Sequence, residues 1–176
     1  MRYLVTGGAG FIGSHLVDHL VAAGQEVVVL DDLSSGSREN VAAVRRRIGF
    51  IRGSVAELNI CWRAMEGVDC VLHQAALTSE QRSVEAPLAT HEVNSTGTLN
   101  VLVAACEAGV RRVVYASSTA VYGSSAALPN SETQLARPLG PYAATKLAGE
   151  EYCLAFYQEN RRDRRRRRTH PVGHAA

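Results

Sequence analysis

The sequence predicts an α/β fold, a doubly wound parallel sheet with helices on both faces. Three observations predict it. Short apolar runs rich in β-branched residues alternate with stretches of helical periodicity. Glycines close the helical stretches. The strands are apolar nearly throughout, as crossover helices covering both faces of a sheet require.

The elements follow in order. RYLVT (2–6) reads as the first strand, and GFIGSHLVDHLVAAG as a helix stopped at Gly24. EVVVLD (26–31) is the second strand and GFIRG (49–53) the third, followed by a helix over 55–66. DCVLHQ (69–74) and RRVVYAS (111–117) are the fourth and fifth strands. Between them a long helical pattern over 88–108 ends at Gly109. A last helix begins near Pro141, where proline suits a first turn, and runs to about Tyr157. Residues 1–160 carry no internal repeat and no linker and read as one domain. Residues 161–176 read as a disordered, arginine-rich tail.

Composition narrows the function classes. The net charge of +2 over 176 residues hides an uneven split. Seven arginines and Asp163 give the tail +6, so residues 1–160 carry −4. A body of that balance argues against a nucleic-acid partner. Cys61, Cys70, Cys106 and Cys153 lie far apart and form no C-x-x-C pair, as expected of buried thiols in a reducing cytosol. No apolar run approaches the ~20 residues that span a bilayer, and the first motif at Thr6 leaves no room for a signal peptide. The expectation is a soluble, cytoplasmic protein without a membrane partner.

Between the first strand and the first helix lies Thr6-Gly7-Gly8-Ala9-Gly10-Phe11-Ile12-Gly13. Gly7, Gly10 and Gly13 give a G-x-x-G-x-x-G spacing. Gly7 permits a tight turn, Gly10 lets backbone N–H groups approach a pyrophosphate, and Gly13 lets the helix pack close to the strand. The helix N-terminus adds partial positive charge toward the phosphates. Asp31 closes the second strand, where a carboxylate accepts from ribose hydroxyls and repels a 2′-phosphate, so NAD is favoured over NADP. Asp32 either assists or is a solvated turn acid.

Pro141-Tyr142-Ala143-Ala144-Thr145-Lys146 puts Tyr142 and Lys146 at i and i+4 on one helix face. A free tyrosine, with a pKa of about 10, is a poor base at neutral pH. A nearby ammonium and an oxidised nicotinamide would favour the phenolate, so that Tyr142 could take a proton from a substrate hydroxyl. Ser117 and Ser118 follow the fifth strand, at the sheet end where α/β ligands sit.

These motifs carry a resemblance. LVTGGAGFIGSHL, VVVLDDLSSG, VLHQAA, VNSTGTLNVLVAA, YASSTAVYG and PYAATK, within residues 1–157, resemble the NAD-dependent epimerase/dehydratase family of extended short-chain dehydrogenases/reductases. The resemblance implies a Rossmann-type domain acting on nucleotide sugars, dimeric in full-length relatives. It makes Tyr142 the base and Lys146 the residue that tunes it and grips the nicotinamide ribose. Ser118 would hydrogen-bond the reacting sugar oxygen. Phe11, Ile12, Val55, Ala75, Ala76, Asn94 and Ser117 would join the glycines around the cofactor. Thr119-Ala120 stands where the family's dehydratases carry an acidic pair, which favours an isomerase similar to UDP-glucose or UDP-N-acetylglucosamine 4-epimerases. Such a reaction needs no metal. Dehydration or reduction of a nucleotide sugar is the alternative within the family; a non-catalytic NAD-binding regulator with a basic tail is the alternative outside it. Gly53-Ser54-Val55 departs from the family's Gly-Asp-(Ile/Val), leaving Ser54 where an aspartate recognises adenine.

Other signals read blandly. His15 and His19 share one helix face with no third ligand, and His170 and His174 flank Pro171 and Gly173. The resemblance implies that Ser79 to Ser83 line the sugar site; by themselves they read as loop. The resemblance stops near Asn160, where family members continue with further strands and a small substrate domain. The arginine run has no aromatic interleaving and reads as a truncated or frame-shifted end rather than a nucleic-acid-binding arm. Weak NAD binding and little or no turnover are expected of such a chain.

Overall fold

The computed structural model describes residues 1–124 and 129–169, with side chains to residue 159. Five strands, β1 (Arg2–Thr6), β2 (Glu26–Asp31), β3 (Ile48–Arg52), β4 (Cys70–His73) and β5 (Arg112–Tyr115), form one sheet in the order β3-β2-β1-β4-β5. Every pairing is parallel. The chain winds outward from β1 to β3, then returns across the sheet to β4 and β5. That reversal opens a crevice beyond the carboxyl ends of β1 and β4. Register sets its floor, with Thr6 of β1 between Leu30 of β2 and His73 of β4.

The described residues form six α-helices, α1 (Phe11–Ala22), α2 (Leu58–Ala64), α3 (Glu80–Glu85), α4 (Pro87–His91), α5 (Gly97–Glu107) and α6 (Pro141–Thr169). Helices α1, α2, α5 and α6 pack on the strands, and α3 and α4 on α6. The period of two along each strand divides the core. Leu4, Val28, Leu30 and Val71 face α2 and α5, packing with Met65 and Val101. Val5, Val27 and Val29 face the opposite way, onto Val17 and Val21 of α1. All are 6% exposed or less, and each such side chain contributes roughly 1.5–3 kcal/mol by leaving water. A sheet with two buried faces explains the unbroken apolar strands.

The structure departs from the sequence reading in four places. α2 starts at Leu58 rather than at 55, because Ser54 first closes a turn: its Oγ accepts from Ala56 N–H at 3.2 Å. The long helical pattern is interrupted by a π turn over Glu92–Thr96, between α4 and α5. Residues 79–83 are not a loop. Ser79 Oγ caps α3 by accepting from Arg82 N–H, with Glu80 in the first turn. The backbone of α6 continues past Tyr157, through the first part of the tail read as disordered, to Thr169. Arginine is a good helix former, and no proline lies between Pro141 and Pro171. His170, His174 and the rest of 170–176 lie outside the described residues. Among those described, no helix is long and apolar enough to cross a membrane.

Candidate active site

The crevice is built from the ends of β1, β2 and β4. After Thr6 the chain turns through Gly7, whose φ of +66° suits glycine. A Cβ at Gly7 would also meet Ala75 N at 2.7 Å, so β4's outgoing chain can lie against the loop. Gly10 N–H donates to Gly7 O at 3.1 Å, and α1 begins with no side-chain cap at Gly10. Its first N–H groups, at Phe11, Ile12 and Gly13, therefore have no helix partner and border a cavity of about 370 Å³. A helix start of this kind attracts an anion.

Asp31, 7% exposed, stands across from it. Its Oδ2 accepts from Ala9 N–H at 2.8 Å and its Oδ1 from Leu33 N–H at 2.8 Å. The carboxylate thus ties the glycine loop to the turn after β2. It also holds Leu33 at a φ of 63°, a backbone cost of about 1 kcal/mol. Each oxygen keeps a second lone pair, enough to accept from vicinal hydroxyls. An anion seat and a diol acceptor bordering one crevice fit a dinucleotide. Asp31→Ala would leave two N–H groups unpaired and is expected to cost about 2–4 kcal/mol in urea unfolding, with Asp31→Asn milder. Equal stability of all three proteins would contradict this bracing role.

The residues read as cofactor contacts divide. Gly7, Gly10, Phe11, Ile12, Gly13, Asp31, Asp32, Val55, Ala75 and Ala76 line the cavity. Ser54, Asn94, Ser117, Tyr142 and Lys146 do not; Gly53 and Val93, beside the first two, do. Ser54 is engaged in its own turn. Asn94, 1% exposed, gives its amide to Leu77 N–H and C=O and to Thr145 Oγ1. It braces the cavity wall from behind. Ser34 and Ser35, within the VVVLDDLSSG stretch, also line the cavity, as do Leu77 and Thr78, loop residues without a motif to mark them.

The acid–base residues sit on α6 and beyond β5. Lys146, 4% exposed, donates from Nζ to Ala116 O at 2.8 Å and stands 4.9 Å over the Tyr115 ring. Burial pushes its ammonium down to about 8. Tyr115 supplies that aromatic floor, and its hydroxyl donates to Lys146 O at 3.3 Å. Tyr115 opens the YASSTAVYG stretch, but its place in the sequence assigns it no such role. Tyr142, 8% exposed, borders a second cavity of about 480 Å³ together with Ser83, Ala120 and Leu139. Its N–H donates to Ser83 Oγ at 3.1 Å, so the unforeseen helix α3 seats the tyrosine. Ser118 Oγ accepts from Ala120 N–H at 3.2 Å, starting the 3₁₀ turn Thr119–Tyr122. Ser117 Oγ donates to the Glu150 carboxylate, tying the strand end to α6.

His15 bonds Phe11 O at 2.8 Å and packs against the Phe11 ring, within its own helix. Among the described residues no cluster of His, Cys, Asp or Glu could hold a metal ion.

His73, on the crevice floor, is 1% exposed. Burial, then the Lys146 charge, pushes its imidazole from 6.5 down to about 3. As pH falls the unfolded chain takes up this proton first. The group's contribution is therefore complete above about pH 6.5 and declines toward about pH 3, by up to ~1.4 kcal/mol per pH unit. Lys146 titrates above that window. The urea midpoint is expected to fall between about pH 6.5 and about pH 4.5, and a non-titrating His73→Gln to flatten the slope. Parallel slopes for the two proteins would contradict it.

A doubly wound sheet whose crevice joins an uncapped helix start to a strand-end carboxylate defines a dinucleotide-binding α/β protein of the Rossmann type. The chain belongs to the NAD dependent epimerase/dehydratase family, whose sequence profile matches residues 3–164. It is 45% identical over 160 residues to the UDP-glucose 4-epimerase of Mycolicibacterium smegmatis, covering 89% of this chain and 51% of that protein. The fold superposes with a TM-score of 0.85 on the Thermus thermophilus UDP-glucose 4-epimerase in complex with NAD, at 44% identity, over 90% of this chain and 51% of that one. A dTDP-glucose 4,6-dehydratase of Streptomyces venezuelae with NAD bound gives 0.85 at 39% identity, over 90% of this chain and 52% of that one. The chain spans about half the length of the curated relatives it matches.

Proposed function

We propose that the chain is the NAD-binding half of a nucleotide-sugar 4-epimerase. The observation that carries this is the convergence of the uncapped start of α1, the Asp31 carboxylate and the Tyr142–Lys146 helix on one end of the sheet. The N–H groups of Phe11, Ile12 and Gly13 would hold the pyrophosphate and Asp31 the adenosine ribose. Bound NAD would supply a hydride acceptor at the sugar C4 and return the hydride to the other face. Tyr142 would take the hydroxyl proton, Ser118 would bond the reacting oxygen, and the Lys146 ammonium would hold positive charge beside the phenol. UDP-glucose and UDP-N-acetylglucosamine are the favoured substrates, because the relatives just described include UDP-glucose 4-epimerases and Thr119-Ala120 lacks the acidic pair of a dehydratase. Four free thiols fit a cytoplasmic setting, and a homodimer is the assembly we favour.

The test is optical. UDP-glucose added to the NAD-loaded chain fused to the carboxy-terminal half of the M. smegmatis relative should raise the absorbance band of reduced nicotinamide, whereas the chain alone should show little or no reduction. The fusion should also interconvert UDP-glucose and UDP-galactose. A fusion that binds NAD and UDP-glucose but never reduces the nicotinamide would contradict the epimerase reading. Release of water from a dTDP-sugar would point to dehydration instead.

A further inference from the structure

A buried chain of hydrogen bonds joins the wall of the crevice to the helix that carries Tyr142, and its proton order can be read without observing a hydrogen. Thr98 Oγ1 lies 2.6 Å from Asn94 O, and a carbonyl can only accept, so the single hydroxyl proton of Thr98 is committed there. His73 Nε2 lies 3.0 Å from the same Oγ1 and must therefore be the donor. Burial keeps the ring neutral, so Nδ1 is bare and accepts the Thr6 hydroxyl proton at 2.6 Å. Thr6 Oγ1 in turn accepts from Ala75 N–H at 3.2 Å. Every donor runs the same way, from Ala75 N–H through Thr6, His73 and Thr98 to Asn94 C=O, an order that strengthens each bond. Tyr115, the other hydroxyl beside Thr98, directs its own proton to Lys146 O.

The chain does not end at Asn94. The Asn94 amide clamps Leu77 and donates to Thr145 Oγ1 at 3.1 Å, and the Thr145 hydroxyl donates to Tyr142 O at 2.7 Å. The π turn over Glu92–Thr96 contains Asn94 and ends two residues before Thr98, and such turns often mark functional sites. We infer that His73 and Thr98 are positioning residues: one imidazole tautomer, locked between two threonines, sets the crevice wall at Ala75–Leu77 against the Tyr142 helix. The inference rests on the proposed function only in assigning a purpose to that alignment.

Nitrogen NMR of the full chain tests it. His73 should show a single neutral tautomer protonated at Nε2. Thr98→Val, equal in volume, removes both the acceptor and the donor. It should shift the backbone amides of Ala75, Leu77 and Tyr142, admit the second tautomer, and weaken NAD binding about tenfold, the worth of roughly one buried hydrogen bond. Thr98→Ser should restore all three readouts. A wild-type ring protonated at Nδ1, or a Thr98→Val protein with unmoved amides, would overturn the inference, and so would failure of Thr98→Ser to restore them. If Thr98→Val does not fold, the wild-type tautomer still decides. A wild-type chain that holds the tautomer yet ignores NAD, with the amide shifts still present in Thr98→Val, would count against the proposed function while leaving the alignment standing.

Discussion

Tyr142→Phe is expected to slow reduction of bound nicotinamide by UDP-glucose by about 10²–10⁴-fold, the usual contribution of a positioned acid–base group. The substitution removes one oxygen. The ring stays in its seat, because Ser83 holds the Tyr142 backbone N–H rather than the phenol, and Thr145 bonds the Tyr142 carbonyl. Stability and NAD affinity should therefore be unchanged within error, which separates loss of chemistry from loss of fold. The contrast with Lys146→Met is informative. That change removes an ammonium from Ala116 O and from the Tyr115 face, so it should disturb the strand end as well as the reaction. The buried ammonium, held down at about 8, costs the fold on the order of 3 kcal/mol at neutral pH. Lys146→Met relieves that cost but leaves Ala116 O without its donor, so the reaction should be impaired with little net change in stability. A Tyr142→Phe protein as fast as its parent would contradict the assignment of the base.

Gly13→Ala is the second large effect. A Cβ at Gly13 would overlap the Gly7 carbonyl and lie 2.8 Å from Gly8 Cα. Both obstacles are backbone, so α1 itself has to move. Overpacking of this kind costs about 1–3 kcal/mol. It also turns the Phe11 and Ile12 N–H groups away from the anion seat, and losing two such bonds should weaken NAD binding by about 30-fold or more. Gly140→Ala is the control, since a Cβ there meets nothing within 4 Å. Thermal unfolding and NAD titration of the three proteins check both halves of the prediction. An undisturbed Gly13→Ala protein would mean that the loop has slack that its contacts deny.

Much of this architecture is legible in the sequence because it rests on local rules. The apolar strands, the glycines at 7, 10 and 13 and the proline opening α6 each announce themselves through backbone chemistry. Asp31 is legible because it ends a strand at a fixed interval from those glycines. What sequence reading loses depends on contacts distant along the chain. α3 is short and polar, and only Ser83 meeting the Tyr142 backbone gives it a purpose. The π turn arises where Asn94 reaches Leu77 and Thr145, and no periodicity encodes that. Ser54 and Asn94 read as cofactor contacts from their places in motifs; in the fold the Ser54 oxygen accepts from Ala56 N–H and the Asn94 amide is shared between Leu77 and Thr145. At the tail two rules compete, because arginine-rich composition suggests disorder while helix propensity continues the α6 backbone to Thr169.

The most direct measurement is a titration of the nitrogen-labelled 18.9 kDa chain with NAD, followed amide by amide. The account predicts saturable shifts centred on Phe11, Ile12 and Gly13, on Ala9 and Leu33 beside Asp31, and on Ala75 and Ala76, with NADP binding more weakly. Shifts that cluster elsewhere, or a folded chain that leaves these amides unmoved at saturating NAD, would contradict it.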